Sequence, residues 1–313
     1  MNRPRSALRL SGGRARSAPS PSRRRARTAP DRLLPPLVSR VGTAILLVFI
    51  AVPVLYLLAL ALSPNSTVAL GGTSVRQFTL SNFATLWSAA PFESGLVNSV
   101  TIAGTSAVLA VVLGACAAYP LVRLRFWARR SLLYSLLGSQ TIPGLALLLP
   151  LYIMLAGIQG ILGVQLIGGY PAIIAVYMTF GLPLATVTCF VYLRGMPEDL
   201  EDAARVDGCS RVGALARVVL PLMAPALVVS LVFAFLVGWN DVLFASELTN
   251  DQTQTVAITL QQFGLAQSES AGAQPLYGDL MAAALVSAIP VVALYLIFQR
   301  YLVQGIAAGA LSG

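Results

Sequence analysis

The sequence predicts an all-α membrane protein with six transmembrane helices, and two observations support this. The first is composition: 57% of the 313 residues are apolar, only 11% are charged, and the mean hydropathy is +0.77. Soluble globular domains usually carry about 25% charged residues, so this chain has too few charges to cover a water-facing surface. The second is the distribution of those charges, which leaves long stretches of the chain with none.

Charge-free runs define the predicted helices. Five runs follow Arg40, and they cover 41–75, 94–122, 131–193, 218–240 and 280–299. A helix needs roughly 20 apolar residues to cross a hydrocarbon core about 30 Å thick, so four of the runs supply one crossing each. The third run is long enough for two, and several glycines mark a loop inside it. The predicted helices cover about 41–62, 96–119, 132–156, 171–193, 222–244 and 280–300.

The first apolar segment is predicted to stay in the membrane as an uncleaved helix. It is long for the apolar region of a signal peptide, and residues 1–40 precede it. No pattern typical of a signal-peptidase site stands out at its end. We therefore count it as the first crossing.

Arginine placement predicts the orientation. With six crossings both termini lie on one side, and that side collects 20 of the 21 Arg residues, whereas only Arg76 lies on the other. Cytoplasmic loops carry the excess of positive residues. We therefore expect both termini in the cytoplasm.

The segment 1–40 accounts for the net charge of +9. It contains 11 Arg and one acid, whereas 41–313 has a net charge of −1. Because the segment is also rich in Ser, Pro and Ala, we expect a disordered cytoplasmic tail attached to a transmembrane domain over 41–313. Anionic membrane lipid is its expected partner. We expect no nucleic-acid binding, since the basicity is not a property of the folded body.

The chain contains no His and no Lys. Without His it has no Ser-His-Asp triad and no His-ligated metal, and without Lys it lacks the lysine of an ATP-binding P-loop. We therefore expect no enzyme active site, no cofactor and no metal centre. If the work of this protein needs ATP, another chain binds it.

The segment 194–217 between the fourth and fifth predicted helices is highly charged. It holds nine of the 21 charged residues that follow position 40. Pro197 and the acidic residues after it favour the start of a helix, and Glu201 stands four residues before Arg205, the favourable order for an ion pair on one helix face. A simple connector does not need so many charges.

The second half of this segment predicts a turn and another helix. Gly208 is a good helix stop, and Ser210 can cap a helix that runs to Val219. Ala203, Ala204 and Gly208 are small residues, so another protein surface can approach the turn closely.

These residues resemble the signature of the integral membrane subunits of ABC importers. That signature is Glu-Ala-Ala, three residues, Gly, nine residues, Ile-x-Leu-Pro. Here the matching residues are Asp202, Ala203, Ala204, Gly208, Val218, Leu220 and Pro221. Asp replaces the usual Glu and Val the usual Ile, and because Glu201 is adjacent, either carboxylate remains a candidate for the acidic contact. By this resemblance the ATPase-coupling residues are Glu201, Asp202, Ala203, Ala204, Asp207, Gly208, Leu220 and Pro221.

The resemblance extends over about 41–313 and narrows to the maltose-type second permease subunit of sugar importers. The stretches that match in order are Asn98-Ser99, Ala118-Tyr119, Arg123–Phe126, Pro143-Gly144, Pro150–Tyr152, Trp239–Asp241 and the Gly-rich end 305–313. The family usually has Lys before the final Gly, where this chain has Ser312.

The resemblance implies a permease subunit in the bacterial cell membrane that forms half of a pathway for a sugar or oligosaccharide. Its implied partners are a second homologous permease, two ATPase subunits and an extracytoplasmic solute-binding protein. The charged segment would act as a coupling helix that ATPase closure pushes, which switches the membrane helices between inward and outward access. Two alternatives are another solute, such as glycerol phosphate, and an ion-driven secondary transporter. An ion-driven transporter is expected to carry acidic residues within the membrane. Here Asp241 is the only charge that lies inside a predicted helix away from its ends, which counts against that alternative.

Three further features of the sequence each allow two interpretations. Trp239 and Asn240 either anchor the fifth helix at the interface or line the transport pathway. By resemblance the external loop containing Gly264, Gly272 and Pro275 reaches into the binding protein; otherwise it is simply solvated. By resemblance the end 305–313 lies between the ATPase subunits; otherwise it is a frayed terminus.

Overall fold

The computed structural model describes residues 36–65, 78–89, 91–261 and 277–310. Over these residues the regular secondary structure is helical, and one isolated bridge joins Gly168 and Thr249. The chain divides into two compact units, Met1–Ala51 and Val52–Gly313. The described part of the first unit belongs to one helix, and the side chains of 37–51 are exposed.

Eleven helices are numbered here in chain order. They are α1 Pro36–Ala61, α2 Ser81–Ala89, α3 Phe92–Arg123, α4 Arg129–Ser139, α5 Gly144–Leu162, α6 Tyr170–Arg194, α7 Asp199–Val206, α8 Arg211–Leu222, α9 Ala224–Asn240, α10 Leu243–Leu248 and α11 Tyr277–Ala310. Residues 256–261 are also helical. Within α8, the segment Leu215–Val219 forms a wider π-helical turn.

Five of these helices are long and apolar enough to cross a membrane. They are α1, α3, α5, α6 and α11. A sixth crossing is present if α8 and α9 together form one span, although the two meet at an angle of 74°. An all-helical protein with five to six spans is therefore confirmed over the described residues.

Two predicted helices are divided in the structure. The helix expected over 132–156 is two helices, α4 and α5, because Pro143 has no N–H and disfavours helical geometry in the residue before it. The helix expected over 222–244 ends at Asn240. There Asp241 takes an extended conformation and its carboxylate accepts the N–H groups of Phe244 and Ala245 at 2.9 and 3.1 Å, which starts α10.

Helices α3, α6 and α9 pack against one another in the second unit. Small residues permit the close approach: a Cβ placed on Gly114 of α3 would lie 2.8 Å from the Cβ of Ala185. A Cβ on Gly238 of α9 would lie 3.2 Å from that of Ala103. The buried residues around this contact include Ala103, Ala107, Ala110, Ala234, Phe235 and Trp239.

Candidate functional site

The charged segment folds as two helices joined by a tight turn. Helix α7 begins at Asp199, two residues later than Pro197, and ends before Gly208, whose φ is +90°. Residues with a side chain rarely adopt this backbone angle, whereas Gly adopts it without strain. A Cβ on Gly208 would meet no atom within 4 Å, so the backbone angle alone requires glycine here. The predicted helix stop is confirmed.

Ser210 caps the second helix of the segment, as its sequence position predicts. Its backbone is extended, with φ −67° and ψ 165°, and its Oγ accepts a hydrogen bond from the N–H of Gly213 at 3.1 Å. A side-chain acceptor at this position satisfies one of the free N–H groups of the first turn. The cap fixes where α8 begins relative to the Gly208 turn.

The coupling residues expected from the sequence lie on two sides of this structure. Asp202, Ala203, Asp207 and Gly208 are exposed, and so is Pro221 at the far end of α8. By contrast, Glu201 and Ala204 are buried against the rest of the chain, and Leu220 is half-buried. The exposed residues of α7 and its turn therefore form a face that is free to meet another molecule.

The ion pair expected between Glu201 and Arg205 is not formed. Arg205 instead donates from Nη1 to Oδ1 of Asp202 at 2.8 Å, on the exposed side of α7. The expectation was wrong because it considered α7 alone, whereas Glu201 has stronger partners on another helix. This also separates the two adjacent carboxylates: Asp202 faces outward and Glu201 inward.

Glu201 belongs to a buried polar cluster with Tyr119 and Arg123 of α3, which we call the Arg123 cluster. Arg123 donates from Nε to Oε1 of Glu201 at 2.7 Å, and Tyr119 donates from Oη to Oε2 at 3.0 Å. The guanidinium also reaches the carbonyl oxygen of Met196 at 3.3 Å and a carboxylate oxygen of Glu198 at 3.4 Å. Both carboxylate oxygens of Glu201 are therefore satisfied by donors from α3.

Sequence reasoning missed the pairing of Arg123 with Glu201, because it used Arg123 only as an indicator of orientation and as part of a stretch that resembles the family. The pairing joins residues far apart in the sequence, which local patterns do not reveal. One signal was present: Tyr119 and Arg123 stand four residues apart, which puts both polar groups on one face at the end of α3.

An apolar cluster lies at the same end of the helices. Its buried members include Ala118 and Leu121 of α3, Cys189 and Leu193 of α6, and Val219 and Met223 around the joint between α8 and α9. The charged segment is thus attached to a packed part of the second unit that α3, α6 and the joint between α8 and α9 share.

Trp239 and Asn240 occupy different environments. Trp239 is buried and its indole stacks on Phe235, with ring centroids 5.3 Å apart. Asn240 is exposed and donates from Nδ2 to the carbonyl oxygen of Leu236 at 3.0 Å. Both border a groove of about 490 Å³ that residues of 256–260 and of α11 also line.

Asn98 fixes the described segment that precedes the loop predicted to be external. Its Nδ2 donates to the carbonyl oxygens of Gln252 and Gln254 at 2.9 and 3.0 Å, and its Oδ1 accepts from the hydroxyl of Tyr170 at 2.6 Å. The loop residues Gly264, Gly272 and Pro275, most of the N-terminal tail (1–35) and residues 311–313 lie outside the described residues.

A metal centre was not expected from the sequence. Among the described residues, no group of three or more Cys, Asp or Glu side chains is placed to hold a metal ion.

The comparison with protein families identifies the chain. A family model described as the inner membrane component of binding-protein-dependent transport systems matches residues 110–308, more than half of the chain. The chain belongs to this family.

Relatives of this permease include two trehalose transporters. It is 37% identical to the trehalose transport system permease protein of Mycobacterium tuberculosis. The 263 aligned residues cover 83% of this chain and 92% of that protein. It is 29% identical to the trehalose/maltose transport system permease protein of Thermococcus litoralis, over 90% of this chain and 99% of that protein.

A similar fold occurs in solved structures. The crystal structure of a bacterial ABC transporter involved in the import of the acidic polysaccharide alginate contains a chain with a TM-score of 0.69 and 18% identity, over 85% of this chain and 95% of that chain. The crystal structure of a bacterial alginate ABC transporter in complex with an alginate pentasaccharide-bound periplasmic protein contains a chain with a TM-score of 0.60 and 14% identity. The match covers 83% of this chain and 91% of that chain. At these identities the likeness shows the fold alone.

Family membership settles the class of protein. The chain is an ABC importer permease subunit, a multi-pass protein of the bacterial inner membrane and a transport component rather than an enzyme. The alternative of an ion-driven secondary transporter is thereby excluded.

Proposed function

We propose that this permease subunit forms half of the translocation pathway for a sugar or oligosaccharide. ATP hydrolysis by a partner subunit would move the membrane helices through α7 and the Gly208 turn. The relatives named for trehalose and maltose transport support the choice of solute. Glycerol phosphate remains the alternative cargo. The groove beside Trp239 and Asn240 is our candidate for the part of the pathway that this chain lines.

The exposed face of α7 is the proposed docking surface for an ATPase subunit. It combines the exposed pair Asp202–Arg205 with the small side chain of Ala203 and the open turn at Gly208. A polar surface suits a soluble partner, and the small residues Ala203 and Gly208 let that partner approach the helix backbone.

The proposed assembly contains a second homologous permease, two ATPase subunits and an extracytoplasmic solute-binding protein. In the proposed orientation both termini and α7 are cytoplasmic, because 20 of the 21 Arg residues then lie on that side. The segment with Gly264, Gly272 and Pro275 would face the binding protein, the Gly-rich end 305–313 would lie between the ATPase subunits, and the Arg-rich tail 1–40 would contact anionic lipid.

A glycine substitution with a matched control tests the docking surface. Gly208→Val places a branched side chain at φ +90° in the open turn, whereas Gly163→Val does the same at φ +64°, in equally open space at the end of α5. Both variants put a branched residue at a positive φ, at a cost of about 1–3 kcal/mol each. We expect Gly208→Val to abolish ATP-dependent uptake and weaken co-purification of the ATPase, and Gly163→Val to retain both. If Gly208→Val keeps uptake and co-purification at the level of the control, α7 is not the docking element.

A further inference from the structure

We propose that the Arg123 cluster acts as a clasp that makes α7 move as one body with the end of α3, so that a displacement of α7 by the ATPase is passed directly to a core membrane helix. The inference rests on the proposed function, because it assumes that α7 is the element the ATPase moves. It adds Arg123 and Tyr119 as positioning residues and assigns the acidic candidate Glu201 a positioning role towards α3.

The covalent connections of α7 are poorly suited to pass on such a displacement. Towards α6 the chain runs through the non-helical residues Gly195, Met196 and Pro197, and towards α8 it runs through the Gly208 turn. Such segments change their backbone angles easily and are typical of hinges. Without a further contact, α7 could tilt on the ATPase while the membrane helices stayed in place.

The Arg123 cluster supplies that contact, and its geometry resists tilting. A single guanidinium bonds Glu201 within α7 and the carbonyl oxygen of Met196 before it, so one side chain holds two points along the segment. Tyr119, one turn earlier in α3, holds the second oxygen of Glu201. These three contacts restrict rotation of α7 as well as its separation from α3.

Burial makes the clasp strong. The side chains of Arg123 and Glu201 are only 10% and 9% exposed, whereas those of the neighbouring pair Arg205 and Asp202 are 48% and 64% exposed. An exposed pair contributes little because water and salt screen it. Removing one partner of a buried pair leaves an unpaired charge away from water and is strongly unfavourable. Arg205 already pairs with Asp202, so it does not compete for Glu201.

The helix that the clasp engages is well placed to pass the movement on. Arg123 is the last residue of α3, which packs against both α6 and α9 in the core of the second unit. Small residues on α3, such as Gly114, bring these helices into close contact. Interfaces packed this closely tend to shift between discrete arrangements rather than deform continuously.

The first test measures how many solute molecules are transported per ATP hydrolysed by the complete transporter in proteoliposomes. We expect Arg123→Gln and Glu201→Gln to lower this ratio by at least about fivefold, the lower end of the usual range for coupling between sites. Arg123→Lys keeps the charge beside Glu201 and should recover part of the ratio. The matched control is Arg125→Gln, which changes an exposed arginine two residues away. It should stay within about twofold of the unchanged protein.

The second test needs no disruption of the clasp. Spin labels replace Val112 and Asp199 in a background whose three cysteines are substituted, and both positions are exposed. ATP hydrolysis by the labelled transporter before trapping shows that the label on α7 leaves docking intact. Val112 lies three turns before Arg123, about 16 Å along the helix. We expect the distance between the labels to be the same in the ATP-free transporter and in the vanadate-trapped one, with trapping verified by the loss of ATP hydrolysis.

The outcomes separate the clasp from the proposed function. A distance that changes between the two states, or a transport ratio in Arg123→Gln equal to that in Arg125→Gln, overturns the clasp while leaving α7 as the docking element. If Arg123→Gln prevents assembly, the distance measurement alone decides. Failure of docking to respond to Gly208→Val would instead overturn the proposed function.

Discussion

Gly114→Ala tests whether α3 and α6 are in backbone contact. The added Cβ would lie 2.8 Å from the Cβ of Ala185, 2.9 Å from the backbone nitrogen of Thr186 and 3.1 Å from the carbonyl carbon of Ala185. Two of these three atoms belong to the backbone of α6, so the contact is relieved only if the helices separate. Overpacking of this kind costs about 1–3 kcal/mol.

The matched control is Gly104→Ala on the same helix, where the new Cβ meets no atom within 4 Å. Both substitutions gain about 1 kcal/mol of helix propensity, so the difference between the two variants isolates the overpacking. At about 2–4 °C per kcal/mol, Gly114→Ala should melt about 2–12 °C below Gly104→Ala.

The assay is the melting of the purified transporter in detergent at one fixed scan rate, because unfolding of large proteins is often irreversible and its midpoint then depends on that rate. Equal melting temperatures for the two variants, or a higher one for Gly114→Ala, would refute the close contact between α3 and α6.

Two further predictions concern hydrogen exchange. Asn98→Ala leaves the carbonyl oxygens of Gln252 and Gln254 without their side-chain donor, which costs about 1–3 kcal/mol. The backbone amides of 250–256 should therefore exchange about tenfold faster. Unchanged exchange would show that Asn98 does not fix this segment. Ser210→Ala removes the cap of α8 and should cost about 1 kcal/mol, whereas Ser210→Gly costs only a few tenths, so exchange at Gly213 should rise more in the Ala variant. Equal rates in both variants would contradict the cap.

The membrane helices that the sequence predicts best are those ended by strong local signals. The helix expected over 171–193 is observed as Tyr170–Arg194, since charge and glycine mark its ends. The break between α4 and α5 was missed because hydropathy alone does not register Pro143, whose effect is on the backbone and not on the polarity of the run.

The charged segment 194–217 shows the same limit of sequence reasoning. The stop at Gly208 and the cap at Ser210 depend on residues within a few positions, and both were predicted. The partner of Glu201 was not, because Arg123 lies 78 residues earlier and only the packing of α3 beside α7 brings the two charges together. The spacing rule for ion pairs on a single helix favoured Arg205 as the partner, because it contains nothing about how α3 packs beside α7.

ATP-driven uptake by the complete transporter tests the central claim most directly. Proteoliposomes containing this permease, its partner permease and the ATPase subunits would receive labelled trehalose or maltose together with the binding protein outside, with ionophores present to remove ion gradients. We predict uptake that requires ATP and the binding protein and that glycerol phosphate does not inhibit. Uptake that persists without ATP, or that is specific for glycerol phosphate, would contradict the account of a sugar importer driven by ATP.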